Sequence, residues 1–262
     1  MRDDGPMKTA IVTGAARGIG RATALRLAKA GYLVGAFDLD EAGVEDLASS
    51  SGRPERFVTG RLDVTDADAW GPAIARVTER SGGALDVLVN NAGILVGGRF
   101  EEQPVARRRS EIEVNVLGVL HGCHAAHDAL AKARGIVVNL CSASAIYGQP
   151  EIAAYSASKF AVRGLTEALD LEWAKEGIRV RAVWPLWVDT GLLAGAEPTS
   201  TRTLGVRLGP DDVAKEILRV VRRPPRLAPH RPVGLQARAF HAVSEIAPSW
   251  AQRAVNRLVN RA

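Results

Sequence analysis

A tyrosine, a lysine and a serine near the middle of the chain have the types and spacing of a proton-transferring group. Tyr155 and Lys159 are four residues apart, so on a helix their side chains emerge from one face. A phenol with a pKa of about 10 is a poor base at neutral pH, and an adjacent ammonium lowers that pKa. Such a tyrosine can exchange a proton with an alcohol or carbonyl oxygen, which Ser142 could hold. The alternative is an ordinary helix surface, because such pairs arise easily by chance.

A glycine-rich stretch near the N-terminus has the pattern of a dinucleotide-binding turn. Lys8 to Thr13 reads as a buried strand, and the glycines that follow lead into a helical pattern, RATALRLAKAG. Glycines allow the backbone to approach a pyrophosphate, and free N–H groups at a helix N-terminus attract it. A glycine turn without a ligand is the alternative. We expect cofactor contacts from Gly14, Arg17, Gly18, Ile19 and Gly20.

An acidic residue follows the second predicted strand, Tyr32 to Phe37. Asp38 lies about where a carboxylate binds the ribose 2′-hydroxyl of NAD and repels the 2′-phosphate of NADP. Arg17 could instead pair with that phosphate, which keeps NADP as the less favoured alternative. Asp38 or Asp40 could also serve only as a cap for the helix that begins near Glu41.

Polar and small residues follow two further predicted strands. Asp63 and Val64 come after Arg56 to Leu62 and could bind an adenine ring by a hydrogen bond and by packing. The tetrapeptide NNAG, Asn90 to Gly93, comes after Leu85 to Val89 and suits close approach of a cofactor. A plain turn is the alternative for the tetrapeptide.

Strands and helices alternate along the chain, which is typical of an α/β protein with a doubly wound parallel sheet, the Rossmann fold. The fifth and sixth predicted strands are Gly135 to Cys141 and Ile178 to Val183. One long helix, Pro104 to Ala133, holds Asn115 in its apolar middle, where a buried asparagine needs partners or a function. Because parallel sheets bind ligands at the carboxyl ends of their strands, the candidate residues are expected at one edge.

The composition indicates a soluble globular protein. Of 262 residues, 47% are hydrophobic and 24% are charged, which are ordinary values for a folded domain. Cys123 and Cys141 lack the spacing of a metal site or a disulfide scaffold. The N-terminus lacks a secretory pattern and no apolar run is long enough to span a bilayer, so we expect a cytoplasmic protein. The net charge of +5 is concentrated late in the chain and describes the tail more than the body, and we expect no nucleic-acid partner. We divide it into a loose extension at residues 1–7, a catalytic domain at 8–223 and an extension at 224–262.

The C-terminal extension is basic and reads as two helices, Leu235 to Ala247 and Pro248 to Arg261. In the second helix, apolar residues including Trp250 and Leu258 fall on one side and arginines fall elsewhere. This pattern favours packing on protein, where the helix would cover a pocket or a partner subunit. Contact with an anionic membrane surface is the alternative.

Together these motifs resemble the short-chain dehydrogenase/reductase family over roughly residues 8–221. The shared features are TGAARGIG, NNAG, the asparagine of the long helix, and YSASK with a serine thirteen residues before its tyrosine. The resemblance implies a catalytic tetrad of Asn115, Ser142, Tyr155 and Lys159, with no metal ion. In this family the tyrosine is the acid/base, the serine orients the substrate oxygen, and the asparagine holds a water that links the lysine to solvent. The lysine lowers the tyrosine pKa and binds the nicotinamide ribose.

The resemblance also implies hydride transfer between a nicotinamide cofactor and an alcohol or carbonyl substrate, in a homo-oligomer such as a dimer or homotetramer. One departure is Pro185-Leu186 where the family has Pro-Gly, and Leu186 and Trp187 could crowd the substrate side. The atypical C-terminal extension is the other departure. Beyond the glycine-rich turn, we expect cofactor contacts from Asp38, Asp63, Val64, Asn91, Ala92, Gly93, Tyr155, Lys159, Pro185, Val188 and Thr190.

The leading hypothesis is therefore an NAD-dependent dehydrogenase or reductase acting on a hydrophobic alcohol or ketone. An NADPH-dependent ketoreductase is the second enzymatic hypothesis. A third is a nucleotide-binding sensor or scaffold without catalysis, which uses the basic extension as its partner surface. The intact set of Ser142, Tyr155 and Lys159 argues against the third, because a binding module has no need of a tuned phenol.

Overall fold

Seven parallel strands form a single sheet in the computed structural model, which describes residues 7–193, 198–224 and 228–260. The strands are β1 (Thr9–Thr13), β2 (Leu33–Asp38), β3 (Phe57–Arg61), β4 (Val87–Asn90), β5 (Ile136–Leu140), β6 (Arg179–Pro185) and β7 (His230–Val233). Their spatial order is β3-β2-β1-β4-β5-β6-β7. The predicted doubly wound parallel sheet is confirmed. Residues 1–6 of the predicted N-terminal extension, and Arg226 and Arg261 of the C-terminal one, lie outside the described residues.

Helices cover both faces of the sheet. They are α1 (Gly18–Lys29), α2 (Glu41–Ser50), α3 (Trp70–Thr78), α4 (Val105–Ile112), α5 (Gly118–Ala133), α6 (Ala153–Glu172), α7 (Thr199–Leu204), α8 (Pro210–Arg222), α9 (Gly234–Ile246) and α10 (Ser249–Val259). Because strand side chains alternate, Ile11 packs into one core cluster and its neighbours Ala10 and Val12 into the other. Strands buried on both faces read as continuous apolar runs, which is why β1 was visible in the sequence.

The seventh strand was not predicted. Its sequence, HRPV, contains Pro232, which cannot donate a backbone hydrogen bond and so argues against a strand. Strand β7 lies at the edge of the sheet and pairs only with β6, with Pro232 opposite Trp184. An edge position tolerates proline because one side of the strand needs no ladder partner. The sheet therefore continues beyond residue 223, the predicted end of the catalytic domain.

The long helix predicted from Pro104 to Ala133 is interrupted. A π-helical segment, Glu113–Leu117, lies between α4 and α5 and contains Asn115. Segments of this kind are frequent at functional sites, because the wider turn re-aims side chains. Within the described ranges, every helix is too short or too polar to cross a lipid bilayer.

Candidate active site

A cleft runs along the carboxyl edge of the sheet, as the sequence predicts. Its larger part has a volume of about 330 Å³ and extends from the glycine-rich turn past the ends of β2, β3 and β4. A smaller cavity of about 70 Å³ continues from it and is lined by Tyr155 and Lys159. The two share Ile19, Asn91, Gly93, Leu140, Thr190 and Leu192. Each cofactor-contacting residue predicted from the sequence lines one of the two, except Gly20.

The glycine-rich turn has the geometry needed to hold a phosphate. Gly14 and Gly18 have φ angles of 65° and 56°, which side-chain-bearing residues rarely adopt. Gly20 is required for packing, since a Cβ there would lie 2.0 Å from the Gly14 carbonyl oxygen. No side chain caps the N-terminus of α1, which borders the cleft. Its N–H groups and dipole therefore suit the pyrophosphate of a dinucleotide.

Asp38 and Asp40 have different roles at the end of β2. Asp40 caps α2 by accepting the Gly43 N–H at 3.0 Å. Asp38 faces the glycine-rich turn and accepts the Ala16 N–H at 3.0 Å and the Asp40 N–H at 3.1 Å. Of the two alternatives for Asp38, a helix cap therefore does not apply. Arg17 is exposed and borders the same cleft. Both Asp38 and Arg17, the residues that could distinguish a ribose 2′-hydroxyl from a 2′-phosphate, therefore line it.

The adenine side of the cleft is formed by the segment after β3. Asp63 accepts both the side-chain hydroxyl of Thr65, at 2.7 Å, and its N–H, at 3.0 Å. These hydrogen bonds lower the pKa of Asp63 and keep it ionised as an acceptor. Val64 lies beside it in the lining of the cleft.

Buried amides join the strands that carry the site. The Asn91 side chain donates to the Thr13 carbonyl at 2.8 Å, which links the ends of β1 and β4. Asn90 donates to Asn139 at 2.9 Å, and Asn139 donates to Thr166 of α6 at 3.0 Å. This chain of hydrogen bonds fixes α6, the helix of the candidate acid/base, against β4 and β5.

The first two turns of α6 carry Tyr155 and Lys159, both almost fully buried. The Lys159 ammonium lies 5.3 Å from the centroid of the Tyr155 ring and donates to the Leu140 carbonyl at 3.0 Å. Ser142 follows β5, and its Oγ accepts the Ser144 N–H at 3.1 Å. Tyr155, Lys159 and Ser142 thus meet at the end of β5.

The pKa of Tyr155 is shifted upward, whereas the sequence predicted that Lys159 would lower it. Burial is the largest cause, and a hydrogen bond with Ser142 acts in the opposite direction. Burial also lowers the pKa of Lys159, whose ammonium is engaged with a backbone carbonyl. The difference arises because desolvation of the phenolate exceeds the stabilisation that this arrangement supplies. A phenol held in its neutral form is a proton donor.

Asn115, the fourth member of the predicted tetrad, is fully buried. Its side chain accepts the Ile94 N–H and donates to the Ile94 carbonyl, both at 2.9 Å, and also donates to Ser158 at 3.2 Å. Asn115 therefore joins the segment after NNAG to the helix of Tyr155. The Asn115 side chain thus holds the segment after NNAG, while the Lys159 ammonium donates to the Leu140 carbonyl.

Two further buried residues hold the same segment and were missed from the sequence. Glu111 accepts the Val96 N–H at 2.9 Å, and Gln103 donates to the Gly98 carbonyl at 2.7 Å. The second carboxylate oxygen of Glu111 has no hydrogen-bond partner among the described residues. Burial raises the pKa of Glu111 to about 7, and Lys159 acts on it in the opposite direction. Glu111 lies one helical turn before Asn115, and this spacing was the signal that could have found it.

The substrate side of the smaller cavity is apolar. Leu95, Leu186 and Trp187 line it, and Trp187 belongs to a buried cluster with Tyr155. Leu186 does not have a positive φ, so the backbone at this departure from the family pattern is one that leucine adopts readily. Val259 of α10 lies in the same cluster, and Phe240 of α9 packs against it. The inner faces of the C-terminal helices therefore cover the substrate side.

The outer face of α10 is uncovered in the single chain, so its packing on a partner subunit stays a prediction. Trp250 and Leu258, which we expected to pack on protein, are exposed in the single chain. The inward face carries Gln252, Asn256 and Val259. Hydrogen bonds fix this orientation, because Gln252 donates to the Ala247 carbonyl and Asn256 to the Gly148 carbonyl, each at 2.8 Å.

Comparison with known proteins places the chain in a family. The family profile described as short chain dehydrogenase matches residues 8–200. The chain is 37% identical over 218 residues to trans-4-hydroxycyclohexanecarboxylate dehydrogenase from Sinomonas cyclohexanicum, covering 80% of this chain and 82% of that protein.

Two solved structures extend the comparison to the fold. A 3-ketoacyl-(acyl-carrier-protein) reductase from Brucella melitensis complexed with NADH has a TM-score of 0.79 and 28% identity, covering 86% of this chain and 96% of the other. An alcohol dehydrogenase from Thermococcus sibiricus complexed with 5-hydroxy-NADP has a TM-score of 0.75 and 28% identity, with coverages of 87% and 95%. From the profile match and these similarities, the chain belongs to the short-chain dehydrogenase/reductase family.

Proposed function

We propose that this oxidoreductase interconverts a hydrophobic alcohol and its ketone by transferring hydride to or from NAD, with Tyr155 as the acid/base. The observation that carries the proposal is the continuity of the cleft. The nucleotide part leads directly into the cavity that holds Tyr155 and Lys159, so a bound nicotinamide and a substrate oxygen could reach the same phenol.

The cofactor supplies the hydride chemistry when it is bound, and the residues of the chain hold the substrate oxygen and its proton. During ketone reduction the Tyr155 hydroxyl donates a proton to the carbonyl oxygen, and during alcohol oxidation the phenolate accepts it. Ser142 holds the same oxygen by a hydrogen bond. Lys159 stabilises the phenolate, and the buried amides keep α6 and β5 in register during the exchange.

The preference for NAD over NADP is also a proposal, and Asp38 supports it. Its carboxylate faces the glycine-rich turn at the end of β2, where it would repel a 2′-phosphate and accept a hydrogen bond from a 2′-hydroxyl. Arg17 is the residue that would support NADP instead.

We expect Asp38→Ala to lower the ratio of kcat/KM for NAD to that for NADP by about tenfold or more, because one carboxylate–phosphate repulsion is lost. Asp40→Ala is the matched control: it removes the α2 cap and leaves the ratio unchanged. A wild-type protein that prefers NADPH, with the same preference in Asp38→Ala, would overturn the assignment.

The apolar walls formed by Leu95, Leu186 and Trp187 support a hydrophobic substrate. The relative from Sinomonas cyclohexanicum is named for a hydroxylated ring, and a ring alcohol suits walls of this kind. A panel of cyclic and linear secondary alcohols tested with NAD would define the substrate class.

Substitution of the acid/base tests the reaction itself. We expect Tyr155→Phe to lower turnover by about a thousandfold, because general acid–base catalysis by one group contributes about 10²–10⁴. Binding of NADH, measured by fluorescence titration, stays within a few-fold of wild type. Equal turnover in both proteins would reject Tyr155 as the acid/base. A wild-type protein that binds NADH but oxidises no alcohol in the panel would favour the sensor hypothesis.

We further propose a cytoplasmic homo-oligomer, a dimer or a homotetramer, assembled through α4 and α5. Leu120 of α5 and Leu117 of the π-helical segment before it are exposed, which supports burial of that face in an assembly. Light scattering of the wild type and of Leu120→Glu tests this proposal, and a monomeric wild type would contradict it.

A further inference from the structure

The last two helices expose large apolar side chains. On α9, Leu235 and Ile246 are 85% and 86% exposed. On α10, Trp250 and Leu258 are 74% and 67% exposed. Isolated apolar residues are common on protein surfaces, but contiguous ones mark contact with a partner or a lipid. The outer faces of α9 and α10 therefore each present an apolar surface that the single chain leaves uncovered.

The orientation of α10 is fixed. Trp250, Ala254 and Leu258 recur every four residues and lie on the outward face. The inward face is held by hydrogen bonds from Gln252 to the C-terminal end of α9 and from Asn256 to the Gly148 carbonyl. Rotating the helix to bury its tryptophan would break these bonds, so the apolar side stays outward.

A basic groove borders the apolar surface. It is lined by Pro150, Arg253, Asn256, Arg257 and Asn260, which together present two guanidinium groups and two amides. Neither arginine forms an ion pair with any carboxylate whose side chain the structure describes. Residues 224–262 contain six arginines and one glutamate, so this segment accounts for the whole net charge of +5. Guanidinium groups bind phosphate oxygens by paired, charge-assisted hydrogen bonds.

We propose that α9 and α10 dock the protein on the surface of an anionic phospholipid membrane. Trp250 and Leu258 enter the boundary between headgroups and acyl chains, and Arg253 and Arg257 bind headgroup phosphates in the adjoining groove. An apolar stripe beside arginines is the pattern of helices that lie in this interface. Juxtamembrane arginines are attracted by the negative potential of anionic lipids.

A second copy of the chain fits this face less well. A two-fold contact brings the same patch of each copy together. Here it would oppose one arginine-bearing groove to another, and by sequence α9 and α10 carry three arginines against a single glutamate. An anionic lipid surface supplies the missing negative charge.

Docking would bring the substrate side of the cleft close to the bilayer. Val259 and Phe240 reach inward from the same two helices and pack at the cluster that contains Tyr155. The docking itself does not rest on the proposed hydride transfer, because it involves only the outer faces of α9 and α10.

Co-sedimentation with lipid vesicles tests the proposal. The probes are vesicles of phosphatidylcholine alone and vesicles of phosphatidylcholine and phosphatidylglycerol in equal parts, with the full-length protein at low and at high salt. We expect partition onto the anionic vesicles and little onto the neutral ones. Arg253→Gln with Arg257→Gln should lower the partition coefficient by about tenfold or more, since each arginine near an anionic surface contributes on the order of 1 kcal/mol. Trp250→Ser with Leu258→Ser should lower it further.

The matched control is Leu171→Ser, which removes an exposed leucine from α6 and leaves partition unchanged. Far-ultraviolet circular dichroism and NADH titration of each variant show whether it is folded, whatever its turnover. Absence of binding to anionic vesicles overturns the proposal, and so does equal binding to neutral ones. Loss of an oligomer in Trp250→Ser with Leu258→Ser, without any vesicle binding by the wild type, identifies the face as a contact between copies and also overturns it.

Discussion

The two ends of the cleft are built from different kinds of contact. At the cofactor end the backbone dominates: Gly14 has a positive φ, Gly20 packs against its carbonyl oxygen, and Asn91 binds the same turn. At the substrate end side chains dominate, and Leu95, Trp187 and Val259 form one apolar cluster. Backbone geometry tolerates few residue types at each position, whereas apolar packing tolerates many.

The ends also differ in the sequence distances that they connect. The residues of the glycine-rich turn lie within a few positions of one another, so a motif can describe them. The substrate end depends on contacts such as that between Asn256 and Gly148, which are 108 residues apart. Substitutions at the cofactor end should therefore lower both the affinity for NADH and the free energy of unfolding. Those at the substrate end should mainly change which alcohol is accepted.

The sharpest test of this difference is Gly20→Ala. A Cβ at this position would lie 2.0 Å from the Gly14 carbonyl oxygen and 2.5 Å from the Asn91 amide nitrogen. The turn must shift, and we expect a loss of about 3 kcal/mol in the free energy of unfolding, at the upper end of overpacking costs. NADH affinity should fall by more than tenfold, measured by fluorescence titration.

Gly164→Ala is the matched control for that substitution. Gly164 lies inside α6, and a Cβ there would meet no atom within 4 Å. We expect a gain of about 0.5–1 kcal/mol in the free energy of unfolding, because alanine favours the helix. If both variants kept wild-type NADH affinity, that affinity would not depend on the close backbone contact between Gly20 and Gly14.

Much of the cofactor end could be predicted from the sequence. Local patterns identified Gly14, Asp38 and the NNAG segment, because each follows an apolar strand that is readable by itself. The resemblance to a family added Asn115, whose polar side chain in an apolar helix was already unusual. The structure brings Gly14, Asp38 and the end of the NNAG segment to one cleft and places Asn115 against Ile94 just behind it, while their roles in the reaction remain proposals.

The substrate end could be predicted less well, for physical reasons. Strand β7 contains Pro232, and only its edge position, a tertiary property, makes a strand possible there. The apolar stripe of α10 predicted packing on protein, but only the hydrogen bonds from Gln252 and Asn256 show that the stripe faces away from its own chain. The spacing of Glu111 from Asn115 becomes decisive only once the burial of that helix face is known.

Glu111→Gln tests the buried carboxylate at the substrate end. Burial raises the pKa of Glu111 to about 7 from an ordinary 4.5, so the folded protein holds a proton there that the unfolded chain has released. The wild type should therefore lose up to about 3 kcal/mol of unfolding free energy as pH rises from about 4.5 to 7, because each pH unit between the two pKa values corresponds to about 1.36 kcal/mol. Urea unfolding across this pH range should show the loss in the wild type and its absence in Glu111→Gln.

The same substitution has a kinetic consequence. Ionised Glu111 raises the pKa of Tyr155, so the neutral variant should lower that pKa. Because alcohol oxidation needs the phenolate, the acid limb of its pH–rate profile should move to lower pH. Glu113→Gln is the control, because Glu113 is part-exposed and paired with Arg109 on the same helical stretch. Identical pH profiles for the wild type and Glu111→Gln would limit Glu111 to holding the Val96 N–H.

A smaller loss than those of Gly20→Ala and Glu111→Gln is expected for Val259→Ala, which shortens a buried side chain at the substrate end. Removing two methyl groups from this cluster should lower the free energy of unfolding by about 1–2 kcal/mol, at about 0.8 kcal/mol per buried carbon. Backbone contacts at the cofactor end are untouched, so NADH affinity should stay at the wild-type value. The KM for bulky alcohols should change while that for small ones does not.

Val255→Ala, at a more exposed position of the same helix, is the control and should leave both KM values unchanged. A loss of NADH affinity in Val259→Ala equal to that in Gly20→Ala would contradict this difference. The two ends of the cleft would then be energetically coupled, because a change in side-chain packing would reach the glycine-rich turn.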